Sequence, residues 1–151
     1  MATTVHSVGN MGVEGFSIEV QVSLISGMAV MNIGGMADQA VKEAKDRIES
    51  TIGELGLDYP QKKIVVNLYP AEVKKVSTAL DLPMLIALLI ASDQIQPKDA
   101  RMKGTAFIGE LGLSGELRHF RAALPMVIAA KKAGFERVVL PLACLAEASV
   151  I

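Results

Sequence analysis

Val76–Ile95 reads VSTALDLPMLIALLIASDQI, and every residue from Leu82 to Ala91 is apolar. A helix that is apolar all round has no solvent-facing side and belongs in the middle of a domain. Asp81 is the expected N-cap, because a carboxylate there accepts free N–H groups of the first turn and favours the positive end of the helix dipole. Pro83 falls in that first turn, where a missing N–H costs nothing. The run is bounded by Asp81 and Asp93 and is about half the ~20 residues a membrane span requires. It therefore predicts a core helix and no membrane association.

Around that helix the chain alternates between strand and helix patterns. Thr3–Ser7 is short and β-branched, the pattern of an edge strand. From Phe16 to Leu24, Phe16, Ile18, Val20, Val22 and Leu24 fall on one face and Ser17, Glu19, Gln21 and Ser23 on the other, the period of a half-buried strand. Ser26-Gly27 reads as a turn and Met28–Ile33 as the returning strand of a hairpin. Gly34-Gly35 ends it. A helix follows from about Ala37 to Leu55, with Ala37, Ala40, Val41, Ala44, Ile48, Ile52 and Leu55 as its apolar stripe and Gly56 as its stop. On its outer face Asp38–Lys42, Glu43–Arg47 and Lys45–Glu49 have i, i+4 spacing, each pair adding ~0.2–0.5 kcal/mol. Lys62–Tyr69 is a strand and Pro70–Ala79 a polar loop.

Beyond the central helix, Gln96–Lys103 is a polar loop. Thr105–Leu113 is a strand, Ser114-Gly115 a tight turn and Glu116–His119 the returning strand. Phe120–Ala133 is a helix closed by Gly134, Arg137–Leu140 a short buried strand, and Pro141–Ser149 a last helix. The order mixes hairpins with crossovers, so the expectation is one α+β domain over 1–151, with a mixed sheet and helices mainly on one face. The apolar ending Val150-Ile151 is expected of a piece of a longer protein.

The 151 residues are 51 % hydrophobic and 21 % charged, with a net charge of −1. That composition supports a packed core and gives the whole chain no electrostatic footprint of a dedicated nucleic-acid binder. Aromatics are 4 % with no Trp, so a base-stacking platform is not expected. Cys144 is the one cysteine. It excludes a disulfide framework, fits a reducing cytoplasm, and reads as a small core residue in LACLA. The first residues, MATTVHSVGN, lack the basic and apolar regions of a secretory signal.

The motifs for chemistry are few. No G-x-x-x-x-G-K-[ST] loop is present, so ATP binding by this segment is not expected, and Gly34-Gly35 reads as a strand-to-helix turn. His6 and His119 lack acidic partners at ligand spacing, and Cys144 has no Cys or His nearby, so no metal site is expected. A Ser–Lys dyad of Ser77 with Lys74 or Lys75 would need a partly desolvated lysine, and two adjacent lysines in a polar loop read as solvated. The basic set Lys62, Lys63, Lys74, Lys75, Arg118 and Arg121 could contact phosphates only if the fold gathers it into a patch.

Four segments, taken together and in this order, carry a resemblance. AVKEAKDRI (Ala40–Ile48), VNLYPAEV (Val66–Val73), LDLPMLIALLIAS (Leu80–Ser92) and FIGELGLSGELRHFRAALP (Phe107–Pro125) resemble the N-terminal domain of the ComM/YifB family, bacterial AAA+ proteins related to the magnesium-chelatase I subunit. The resemblance implies a two-layer α+β fold similar to the Lon proteolytic domain, of the kind also found in ribosomal and GHKL-type proteins. It further implies an ATPase module, outside this segment, to which ATP and Mg would belong.

In Lon-type peptidases a serine in a P-S-A-G turn precedes the buried helix, and a lysine lies in the helix after the GELGLSGEL hairpin. Carried onto this sequence, the serine position is Ala79 and, ungapped from Gly109 to Gly134, the lysine position is Leu124. Alanine has no hydroxyl and leucine no titratable group, so the resemblance implies no catalytic residue and no cofactor here; Ser77 stands two residues too early. Ser77-Thr78 also replaces the family's usual Gly-Gly before [FY]-D-L-P, and Leu80 its aromatic, which leaves a less flexible loop. The expected function is a non-catalytic domain of a cytoplasmic, hexameric ATPase acting on DNA in recombination or natural transformation. It would assist assembly or DNA handling, with its own AAA+ module, further copies of itself and DNA as partners. Lys74, Lys75, Arg118 and Arg121 are the contact candidates. An adaptor for a non-DNA partner of a chelatase-like ATPase, and a peptidase with a relocated dyad through Ser77, are the alternatives.

Overall fold

The computed structural model describes residues 2–11, 14–71, 73, 75, 78–97, 102–118, 123–141 and 144. Its centre is a six-stranded mixed sheet in the order β3-β4-β2-β1-β5-β8, built from β1 (Thr3–Met11), β2 (Glu14–Ile25), β3 (Met31–Gly34), β4 (Lys63–Tyr69), β5 (Thr105–Phe107) and β8 (Arg137–Val139). A separate two-stranded sheet pairs β6 (Glu110–Leu111) with β7 (Leu117–Arg118). The helical elements are α1 (Gln39–Lys42), α2 (Ala44–Glu54), α3 (Asp81–Ala91) and α4 (Ala123–Lys132), with a 3-10 turn at Thr78–Leu80. This is the expected α+β class with a mixed sheet.

The alternation in β2 does what its period predicts: Ile18, Val20 and Val22 are fully buried. In β4 the same alternation buries Ile64, Val66 and Leu68. Two pairings differ from expectation. Met28–Ile33 is not the return of a hairpin with β2: residues 26–29 bend away, and β3 pairs parallel with β4, which lies between β3 and β2. Parallel neighbours need a crossover, and α1–α2 supplies it. Thr3–Ser7 is not an edge strand either, because β1 pairs antiparallel with β2 and parallel with β5. Sequence alternation sets which face a side chain takes, not which strand lies alongside.

The helices also divide differently. Val5 pairs with Val20 and shares its face, where the core includes Ile48 and Ile52 of α2 and Leu85, Leu88 and Leu89 of α3. Val8 has the opposite parity and packs with Ala106, Ala123, Met126 and Ala130. Helices α1–α3 thus cover one face, as expected of helices mainly on one face, and α4 packs on the other.

Several boundaries follow from local chemistry. The expected Ala37–Leu55 helix is broken at Glu43; Asp38 caps its first turn by accepting the Val41 N–H at 3.0 Å. Gly56, at φ +69, ends α2 as predicted. Gly35 has φ +91, and a Cβ there would collide with the Leu68 carbonyl oxygen; only glycine permits this close passage of two backbones. β8 is an exposed edge strand, not a buried one, and Cys144 is fully buried as expected. Most of the last helix expected over 141–149 lies outside the described residues. Among those described, no helix is long and apolar enough to cross a membrane.

Candidate functional site

The central helix begins where four elements meet. Its predicted core character holds, with Leu82–Leu85 and Ala87–Leu89 buried. Asp81 is not its N-cap. Leu80 occupies that position, and the Asp81 side chain is fully buried in an ion pair. Arg47 of α2 donates from Nε to Oδ2 at 2.6 Å and from Nη2 to Oδ1 at 3.0 Å, and Nη2 also reaches the Ala40 carbonyl at 3.1 Å. The Leu111 N–H of β6 completes the Asp81 shell at 3.1 Å. Burial pushes the Asp81 carboxyl above its ordinary range, against the opposing pull of Arg47 and the Leu111 N–H. The hydrogen bond to Asp81 holds the Arg47 guanidinium above its own ordinary value.

The same corner ties down the β6–β7 hairpin. Gly109 donates to the Ala79 carbonyl at 2.8 Å and accepts the Leu82 N–H at 2.9 Å. Ser50 Oγ donates to the Leu113 carbonyl at 2.5 Å and Thr51 Oγ1 to that of Gly112 at 3.4 Å. Gly115, at φ +89, turns the hairpin at the predicted place.

Ala79 is buried in the apolar cluster that also holds Ala123 and Met126 of α4. The fold therefore brings the residue at the serine position into one cluster with the helix that carries Leu124, which is half-buried there. Two hydrocarbon side chains at these positions hold and move no proton.

Lys75 overturns the solvated-loop expectation. It is 1 % exposed, and its Nζ donates to the carbonyl oxygens of Gly35, at 2.7 Å, and Pro70. Its backbone joins the same junction: the Lys75 N–H donates to Met36 at 2.9 Å, and its carbonyl accepts the Asp38 N–H at 3.0 Å. Donating to backbone carbonyls from inside the fold, this ammonium braces Pro70 against the β3–α1 junction. Local sequence could not reveal it, because its acceptors lie 5 and 40 positions away. Arg118 is exposed on β7, 3.9 Å from Glu116. Lys74, Ser77 and Arg121 lie outside the described residues.

Clefts lie elsewhere. One of about 430 Å³ between β2 and α4 is lined by Gly15, Phe16, Ser17, Pro125, Ala129 and Lys132, among others, and has Lys132 as its charged group. Among the described residues, no three His, Cys, Asp or Glu side chains gather to hold a metal ion.

Comparison with known proteins adds to this geometry. The chain matches the model of subunit ChlI of Mg-chelatase over residues 18–143. It is 36 % identical over 135 residues to competence protein ComM of Haemophilus influenzae, spanning 89 % of this chain and 26 % of that protein. It is 37 % identical over 135 residues to the uncharacterised protein YifB of Escherichia coli, with the same 89 % and 26 %. An uncharacterised protein of Mycobacterium tuberculosis is 33 % identical over 145 residues, 96 % of this chain and 28 % of that one. The chain thus spans about a quarter of the length of these relatives.

Proposed function

Because the chain belongs to the family of subunit ChlI of Mg-chelatase, which its relatives ComM and YifB accompany, we propose that it is a non-catalytic, Lon-like domain of an AAA+ ATPase that assists assembly of the oligomer and handling of DNA. ATP and Mg belong, in this reading, to a module outside the segment, and the competence named in one relative supplies the DNA. The observation that carries the non-catalytic part is the chemistry at the two positions where Lon-type peptidases hold serine and lysine. A buried methyl at Ala79 and an isobutyl group at Leu124 supply neither nucleophile nor base. A relocated dyad through Ser77 loses Lys75 as its partner, since that ammonium is taken up by two carbonyls.

With Lys75 inside the fold, the DNA-contact set reduces to Lys74, Arg118 and Arg121. The test is binding of single- and double-stranded DNA to the chain, followed by fluorescence anisotropy over a range of salt. The expected affinity falls steeply with salt, and replacing all three residues by alanine weakens it about ten-fold or more at low salt. Binding that ignores both salt and the triple variant removes DNA handling from this domain. Labelling by a serine-reactive phosphonate that disappears in Ser77→Ala would instead establish the peptidase reading.

A further inference from the structure

The central sheet ends on β3, and among the described residues no strand pairs with its outer side. The Ile64 N–H of β4 donates to the Val30 carbonyl at 2.8 Å. By strand alternation Val30, Asn32 and Gly34 turn their backbone groups to β4, and Met31 and Ile33 each turn an N–H and a C=O to the open side. An unpaired row of this kind is a template for a further strand.

Beside this edge runs a cleft of about 180 Å³, lined by Met31, Asn32, Ile33, Lys42 and Lys45. Both lysines are exposed. Among the described residues neither forms an ion pair, although Asp38 and Glu49 stand at i, i+4 spacing. Asp38 instead accepts the Val41 N–H, and the helix breaks at Glu43 between the two lysines. The charge of Glu43 is felt at Arg47, and those of Glu49 and Asp46 at Tyr59. Among the described residues no acid lines the cleft. Alternating donors and acceptors therefore run alongside two positive charges.

The chain's own edges do not fit there. A β3–β3 contact sets the lysines of one copy against those of the other. In β8, the edge strand at the opposite end of the sheet, Val138 packs in the α4-side cluster, so Arg137 takes the face that α1 and α2 cover. Like charges set against each other oppose both contacts. Nucleic acid fits less well than peptide, because phosphate oxygens accept hydrogen bonds and would leave the outward carbonyls of Met31 and Ile33 without a donor. An extended peptide meets both kinds of group. Its alternate side chains lie about 6.6 Å apart on one face, close to the separation of about 5–6 Å between residues three apart on a helix, as Lys42 and Lys45 are.

We propose that the β3 edge takes an extended acidic segment of a partner protein as an added strand, with acids at alternate positions opposite Lys42 and Lys45. None of the DNA-contact candidates takes part in it.

The probe is a fluorescein-labelled, capped peptide of four Thr-Glu repeats, titrated into the whole 151-residue chain and followed by fluorescence anisotropy at low salt. Saturable binding is expected. The double variant Lys42→Glu, Lys45→Glu, with its folding verified by circular dichroism, should bind about ten-fold or more weakly. N-methylation of the peptide separates strand addition from loose ion pairing. Methyl groups on the Glu amides block an antiparallel strand opposite Met31 and Ile33, and methyl groups on the Thr amides block a parallel one. One methylated peptide should lose binding and the other keep it. Methylated peptides that behave alike, a double variant that binds as well as the unaltered chain, or no binding of the probe at all overturns the proposal. An oligothymidylate with as many negative charges that binds as tightly as the peptide, and loses that binding in the double variant, assigns the two lysines to phosphate and overturns it as well.

Discussion

Arg47 and Asp81 stand 34 positions apart in the chain and meet in a two-point contact of 2.6 and 3.0 Å. Through the Leu111 N–H the same carboxylate also holds the hairpin. One side chain therefore fixes the mutual placement of α2, the start of α3 and β6. The arrangement explains why an acid stands at the head of an otherwise apolar helix: its partners come from other elements, not from the first turn of its own.

Removing the base from this pair leaves a fully buried carboxylate with one N–H. Arg47→Met keeps much of the aliphatic stem while deleting the charge. Breaking a buried pair in this way costs about 3–5 kcal/mol, and the 18 % exposure of Arg47 places the expected loss at the lower end, about 3 kcal/mol. Urea denaturation measures it, and amide exchange at Leu111 should accelerate in the same variant. A loss below about 1 kcal/mol would mean that the pair behaves as a surface contact.

The pH dependence follows from the direction of the Asp81 shift. Burial raises the folded-state carboxyl above its unfolded value, so the folded chain holds the proton more tightly than the unfolded one. This group's contribution to stability is fully present below about pH 3.9 and is lost as pH rises through the folded value. Arg47 opposes that rise, so its removal lengthens the window of loss. The stability gap between the unaltered chain and Arg47→Met is therefore expected to be small near pH 3.5 and to widen toward pH 7. A gap that is constant with pH, or widest in acid, would contradict the assignment.

Gly35 offers a backbone test. Its φ of +91 and the Leu68 carbonyl against it leave no room for a methyl group. Gly35→Ala is expected to lower stability by about 3 kcal/mol or more, through strain and displacement of β4 together. Gly53, inside α2 with open space around it, is the control: Gly53→Ala should stabilise by about 0.5–1 kcal/mol. Thermal unfolding of the two variants should move in opposite directions.

What the sequence discloses and what it hides divide along sequence distance. The period-2 face of β2, the all-apolar α3, the Gly56 stop and the Ser114-Gly115 turn all depend on neighbours within a few residues, and all are found where local chemistry places them. The parallel pairing of β3 with β4, the position of α4 on the far face and the ion pair of Asp81 depend on partners tens of residues away, and periodicity carries no record of them. Asp81 reads as an N-cap because its near neighbours fit that role. The cluster that joins Ala79 to the helix carrying Leu124 is likewise assembled only by the fold, and local polarity makes Lys75 look solvated although it is buried.

Lys75 and Arg118 should separate cleanly in experiment, because one basic residue is inside and the other outside. Lys75→Met leaves the Gly35 and Pro70 carbonyls without their buried donor, and unmet buried polar groups cost about 1–3 kcal/mol each. The expected loss is about 2–4 kcal/mol in urea denaturation, with the salt dependence of any DNA binding unchanged at temperatures where the variant is folded. Arg118→Ala should do the reverse, leaving stability within about 0.5 kcal/mol and lowering the magnitude of the salt slope by about one for each phosphate it no longer neutralises. If Lys75→Met flattens that slope in a folded variant, its ammonium reaches solvent during binding and the brace must open. If both variants unfold alike, the exposure of Arg118 does not describe its role, and β7 is held by its guanidinium as well as by the backbone.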